Sequence, residues 1–201
     1  MELQFPSILR PFLGNRVWRR NPEERKIYLT FDDGPTPEVT PLILDILDEY
    51  AWKATFFCLG ENVKSHPELY QEILNRRHKT GNHTFSHLKG KNVGLAEYYD
   101  NVKYASKYIE SRLFRPPYGK MTRKQHKKLA ADYEIIMWDI ISYDYSRRLL
   151  PDEVLHKVKR YSRNGSIVVF HDSVKAKNNV LAALPQAIEF WNAQQYRYGL
   201  L

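Results

Sequence analysis

Short β-rich runs alternate with longer helical patterns along almost the whole chain, and that order leaves few architectures open. The runs "KIYLTF" (26–31), "KATFFCLG" (53–60), "HKTGNH" (78–83), "LFRPP" (113–117), "YEIIMWDI" (133–140) and "GSIVVFHD" (165–172) predict strands, with a last one near 195–198. Between them the apolar positions move to helical spacing: in "PEVTPLILDILDEY", Leu42, Ile43, Ile46 and Leu47 share one face. The stretches "HPELYQEILNRR", "GLAEYYDNVKYASKYIES", "TRKQHKKLAAD", "PDEVLHKVKRYS" and "NNVLAALPQAIEFWNAQQ" also read as helices. Repeated strand-then-helix order favours an α/β fold of parallel strands joined by right-handed crossovers, closed into a barrel or left as an open sheet. In both, chemistry gathers at the C-terminal ends of the strands. The polar residues of interest fall there: Asp32 and Asp33 after the first strand, His83 after the third, Arg115 after the fourth, Asp144 after the fifth and His171 after the sixth.

A chain of 201 residues that is 43% hydrophobic can bury a substantial core, so disorder is excluded and one domain is expected. Residues 26–201 are assigned to that domain and residues 1–25 to an N-terminal extension packed on it. The formal charge of +8 suits an acidic polymer, a nucleic acid or an anionic membrane surface. The basic residues are scattered in short clusters with no nucleic-acid-binding signature beside them, so a solvated surface is expected and nucleic acid is not. The single cysteine, Cys58, excludes an intramolecular disulfide and reads as a small buried apolar residue. At the N-terminus, "MELQFPSILRPFLGNRVWRR" is interrupted by Pro6, Arg10 and Pro11, without a signal-peptide core or a membrane span; a soluble, cytoplasmic protein is expected.

"YLTFDDGPTP" sets two carboxylates side by side where an apolar run ends. Adjacent anions repel and resist burial, so a cation must compensate them, unless "DDGP" is only a turn with Asp bonded to its own backbone. In "GNHTFSHLKG", His83 and His87 are four residues apart and share a face if the segment is helical or tightly turned. Two neutral imidazoles and a carboxylate from Asp33 or Asp32 make the ligand set of a catalytic divalent metal with open positions. The second aspartate is then free to act as a base on water, the two side chains diverging by strand alternation. "FRPPYG" supplies a guanidinium, Arg115, to keep a carboxylate ionised and aimed, and a stiff segment that presents the Tyr118 N–H. His171, ending "IVVFHD", is either a satisfied core histidine or a general acid with Asp144 as partner.

"TFDDGP", "HTFSH", "RPPYG", "WDIISYDY" and "IVVFHD" together resemble the five ordered motifs of the polysaccharide deacetylases with a NodB-homology domain, carbohydrate esterase family 4 (CE4). The resemblance runs from about Tyr28 to Asp172. It implies a deformed (β/α) barrel with a groove across its top and metal-dependent removal of acetyl groups from sugars. It implies Asp32 as base, Asp33, His83 and His87 as ligands of zinc, or of cobalt or another divalent ion, and Arg115 as the residue that orients Asp32. Tyr118 N–H would serve the oxyanion, His171 would be the acid and Asp144 would tune it, with Thr84 and Ser86 in support. Tyr145, Phe170 and Pro117 are expected along the groove, and Phe170, where the family commonly has Leu, is expected to narrow the acetyl pocket and restrict it to small acyl groups. The substrate expected is an acetylated carbohydrate of the peptidoglycan or chitin type. O-acetyl xylan, or a scaffold that binds glycan without turnover, is the alternative. A non-haem iron oxygenase would use the same ligand set but would leave the second aspartate, Arg115 and His171 without a task.

Overall fold

The computed structural model describes residues 14–201, and in it the strand-helix alternation closes on itself. Eight parallel strands form one row: β1 (Arg16–Val17), β6 (Glu134–Ile136), β5 (Leu113–Phe114), β4 (Lys79–Asn82), β3 (Thr55–Cys58), β2 (Lys26–Asp32), β8 (Ile167–His171) and β7 (Ile140–Ile141). A short β9 (Arg197–Tyr198) pairs with the start of β2. The helices are α1 (Thr40–Glu49), α2 (Gly60–Ser65), α3 (Pro67–Asn75), α4 (Leu95–Ala105), α5 (Arg123–Leu129), α6 (Pro151–Tyr161) and α7 (Lys177–Ala193). This is a deformed (β/α) barrel, as expected, and no helix of the described residues is long and apolar enough to cross a membrane.

One expected strand is two. "YEIIMWDI" breaks after Ile136, and its halves lie near opposite ends of the row, β6 beside β5 and β7 beside β8. The chain between Ile136 and Ile140 reaches at most about 14 Å, so the row must curl until its ends meet. The linker changes partners on the way: Met137 N–H donates to Val17 O and Asp139 N–H to Ile167 O. Of the extension expected over 1–25, residues 1–13 lie outside the described residues. Residues 14–25 carry the unforeseen β1 and an Arg20–Glu134 ion pair.

Strand alternation sorts side chains between an inner core and two outer ones, one of the outer ones built on Phe114 and Ile135 with Tyr98 and Val102 of α4 and Leu129 of α5. Ile27, Leu29 and Phe31 of β2, Phe56 and Cys58 of β3 and Val168 and Phe170 of β8 face outward into a core completed by α1, α6 and α7. Tyr28, Phe57, Ile136 and Ile167 face inward, with Leu201 against them. Each fully buried side chain of this size contributes about 1.5–3 kcal/mol, so the register of β2 is strongly fixed. Shifting it by one residue would bury Asp32 under the helices instead of opening it to the barrel top.

Candidate active site

Parity along β2 and β8 places Asp32 and His171 on the inner face, and the ladder sets them directly side by side. Asp32 is almost fully buried and takes a 2.6 Å hydrogen bond from Arg115 Nη1, which also donates to Thr30 Oγ1. Arg115 Nη2 donates to Met137 O, and its guanidinium lies 4.0 Å from the centre of the Phe57 ring. The cation that compensates Asp32 is therefore a protein side chain, fully enclosed within the barrel.

Asp33 is different. Strand alternation does not part the two aspartates: β2 ends at Asp32, and Asp33 takes a left-handed φ of 84° that swings its carboxylate towards the histidines. Its Oδ1 lies 3.2 Å from His87 Nε2 and 3.6 Å from His83 Nε2, buried and without a hydrogen-bond donor. Residues 83–88 form a bend, not a helix, with Thr84 at φ 70° and His87 at φ 53°. Of eight non-glycine residues with positive φ among the described residues, five (Asp33, Thr84, His87, Tyr118 and Tyr143) sit on the loops of this site. Such backbone costs on the order of 1 kcal/mol or more per residue and persists only where surroundings hold it.

The surroundings do hold it. Asn62 Nδ2 donates to Asp33 O, Asn82 Oδ1 accepts from Thr84 N–H, and Asn101 bonds both Phe85 N–H and Ser86 Oγ. The first N–H groups of α2 donate to Thr84 O and Phe85 O, so a helix too short to announce itself by periodicity anchors the histidine loop. Asp172 fixes the "DDGP" turn: its carboxylate accepts from Gly34 N–H and Thr40 Oγ1, and Thr40 Oγ1 in turn accepts from Thr36 N–H. Burial pushes the Asp172 carboxyl up to about 7 against these donors. Asp172, Asn62 and Asn82 escaped the sequence reading: Asp172 ends the last motif and Asn82 precedes His83, but Asn62 lies far from every motif and had no local signal.

Protonation states follow from the packing. His83 Nδ1 faces Arg115 O at 2.8 Å; a carbonyl can only accept, so Nδ1 carries the proton and Nε2 offers its lone pair beside Asp33. Burial pushes His83 down to about 4, leaving it neutral. Burial works against the Asp33 anion, yet His87, His171 and His83 outweigh it and hold the carboxyl well below its usual range. For His171 burial favours discharge, but Asp144 Oδ1 at 2.7 Å from Nδ1 prevails and holds the imidazolium up to about 9. Asp144 Oδ2 also accepts from the His171 backbone N–H, and Asn179 Nδ2 donates to Asp144 O.

These groups meet in one cavity of about 630 Å³, bordered by Asp32, Asp33, His83, His87, Tyr118 and His171. Arg115 and Asp144 stand behind it, fully buried. Tyr118 is exposed at φ 59°, its ring 4.7 Å from that of His87. Tyr145 forms a wall, edge-on to His171 with ring centres 4.7 Å apart, and Trp138, unassigned in the sequence, also lines the cavity. Two groove assignments are corrected. Phe170 has the outward parity opposite to His171 and is fully enclosed beside Phe31, so it narrows nothing, and the small-acyl preference loses its premise. Pro116, not Pro117, borders the cavity, because Pro117 turns inward at the start of a 3-10 turn.

Asp33 Oδ1 and an Nε2 from each of His83 and His87 lie within 4.8 Å of one another. One carboxylate oxygen lacking any donor and two imidazole nitrogens facing a cavity fit a divalent cation with positions left for water and substrate.

The family model for polysaccharide deacetylase matches residues 19–137, a stretch that holds Asp32 through Tyr118 and stops short of Asp144 and His171. A peptidoglycan-N-acetylglucosamine deacetylase of Bacillus cereus is 33% identical over 193 residues, covering 92% of this chain and 90% of that protein. A crystal structure of a peptidoglycan N-acetylglucosamine deacetylase in complex with 4-naphthalen-1-yl-N-oxidanyl-benzamide is similar at a TM-score of 0.91 and 28% identity, over 98% of this chain and 95% of that one. A CE4-family pseudoenzyme from Bacillus anthracis is similar at a TM-score of 0.82 and 28% identity, over 92% of this chain and 67% of that one.

Proposed function

The chain belongs to the polysaccharide deacetylase family, and we propose that within it the protein is a metal-dependent hydrolase that removes acetyl groups from N-acetylglucosamine units of a peptidoglycan- or chitin-type glycan. The observation that carries this reading is the pairing of Asp32 and His171 across the β2–β8 ladder, each with its own buried partner, beside the Asp33, His83 and His87 cluster. A divalent cation on that cluster, zinc above all and cobalt as a substitute, supplies Lewis acidity that polarises the acetyl carbonyl and acidifies water.

The chain's own residues do the rest. Asp32, paired with and aimed by Arg115, takes one proton from the attacking water as its oxygen bonds to the carbonyl carbon. The Tyr118 N–H, which has no acceptor among the described residues, donates to the carbonyl oxygen as charge gathers there. His171 is already protonated at neutral pH; it gives its Nε2 proton to the departing amine as the C–N bond breaks, while Asp144 steadies Nδ1. Acetate and a free amino sugar result.

A glycan-binding protein without turnover is the second reading, favoured by the similarity to a pseudoenzyme. It leaves the protonated His171 and the buried Arg115–Asp32 pair without a task. Acetate release from N-acetylchito-oligosaccharides, measured before and after chelation and again with zinc or cobalt restored, separates the two. Metal-linked release is expected; glycan binding with no release under any metal would establish the second reading.

A further inference from the structure

A second cavity, of about 540 Å³, opens beside the first and shares Tyr118 and Trp138 with it as a common wall. Gly119 makes that wall possible: at φ 65°, a Cβ there would lie 2.7 Å from Trp138 Cη2, so the indole rests directly on the backbone. The two cavities have opposite character. The first contains the carboxylates of Asp32 and Asp33; the second is bordered, among the described residues, by four cations, Arg16, Lys91, Lys120 and Arg123, and by no acid.

None of the four cations has an ion-pair partner among the described residues. Lys91, Lys120 and Arg123 are exposed at the rim, where solvation suffices. Arg16 is not: it is half-buried, and its Nε is enclosed without a hydrogen-bond acceptor among the described residues. Burial weakens the guanidinium's hold on its proton. An enclosed cation without a counter-charge is costly, just as an enclosed anion is. Arg16 therefore stands to an anion as Asp33 stands to a cation. Around it, Trp138 and Tyr143 offer aromatic faces on which an apolar sugar face can lie.

We propose that this second cavity is a subsite for a carboxylate-bearing sugar unit next to the unit whose acetyl group is removed, an assignment that rests on the deacetylase reading above. Arg16 and Arg123 would grip the carboxylate through charge-assisted hydrogen bonds, with Lys91 and Lys120 adding attraction at the rim. The overall +8 charge would raise the encounter rate with such a glycan, but the discrimination belongs to this cavity.

The test compares kcat/KM for two N-acetylated oligosaccharides of equal length, one neutral and one with a carboxylate on alternate sugars. The anionic substrate should be preferred about tenfold, through KM. Arg16→Gln with Arg123→Gln should bring the ratio close to one. Because Arg16 lies in β1, where replacement can unsettle the sheet, Lys120→Gln with Arg123→Gln, both exposed, provides a second variant in which the ratio should fall by at least half. A ratio near one in the native protein, or one unchanged in both variants, overturns the subsite. A stronger preference for a phosphate-bearing oligosaccharide overturns the choice of carboxylate. If neither substrate releases acetate, the deacetylase reading fails separately, and calorimetry with the same two glycans still decides whether the cavity selects the anionic one.

Discussion

Replacing Asp144 with asparagine removes one charge while keeping the shape of the side chain, and the structure says what His171 should then do. In the native protein, burial alone would discharge the imidazole, and Asp144, aided by the Asp33 and Asp32 anions, overrides it and raises the group from 6.5 to about 9. At about 1.4 kcal/mol per pH unit, that difference is worth about 3 kcal/mol. Without the Asp144 charge, burial prevails over the more distant anions and the value falls to 6.5 or below. In the proposed role of acid, His171 works only when protonated, so activity on the high-pH side is expected to be lost through about 9 in the native protein and through about 6.5 in the variant. Between pH 5.5 and 8, Asp144→Asn should lose about 30-fold in kcat, where this limb of the native profile changes less than about twofold. Linkage carries the same sign: the stability His171 contributes is complete below its unfolded value and vanishes as pH rises through about 9. Acetate release from pH 5 to 9.5 and an NMR titration of the His171 ring measure both. A basic limb that stays near 9 in the variant would refute the reasoning.

Gly34→Ala places a Cβ 1.8 Å from Asp172 Oδ2 in a buried turn that cannot yield without losing the Asp172 bonds; it should cost about 2–3 kcal/mol in urea denaturation and lower activity with it. Phe170→Leu acts in the outer core, so the acetyl-to-propionyl rate ratio should stay constant while stability falls by about 1 kcal/mol, seen by comparing the two substrates and the melting curve. Asp32→Asn should lower kcat by about three orders of magnitude with metal content unchanged, whereas His83→Ala should abolish stoichiometric zinc by elemental analysis.

β2 and β8, which end in Asp32 and His171, were legible because each is a continuous, largely apolar run closed by a polar residue. What stayed hidden is long-range. "YEIIMWDI" is mostly apolar, and nothing local says that its first half pairs with β5 and its second with β8. β1 and α2 are too short to show a period, yet one extends the row and the other anchors the histidine loop. Asp172 bonds Gly34 and Thr40, more than 130 positions away, so its role has no local trace. The misassignment of Phe170 is of another kind: parity counted from His171 already placed it on the outer face, and the motif comparison overrode a signal that was present.

The adjacent aspartates show how the fold turns a local cost into a division of labour. Two neighbouring carboxylates on one strand face opposite sides, which in this barrel would send the second into the apolar core under the helices. The left-handed turn at Asp33 prevents that, and it is held by Asn62 on its carbonyl and by Asp172 on the next N–H. Both carboxylates then open on the same cavity with different companions: Asp32 is neutralised inside the barrel by Arg115, and Asp33 faces two histidines with one oxygen lacking any donor. Arg115 makes no contact with Asp33: its Nη1 donates to Asp32 and Thr30 and its Nη2 to Met137 O, and its enclosed Nε has no acceptor among the described residues. The enclosed guanidinium therefore does more than aim the proposed base: by pairing with Asp32 and not with Asp33, it leaves Asp33 as the one of the two aspartates whose charge a bound cation can answer.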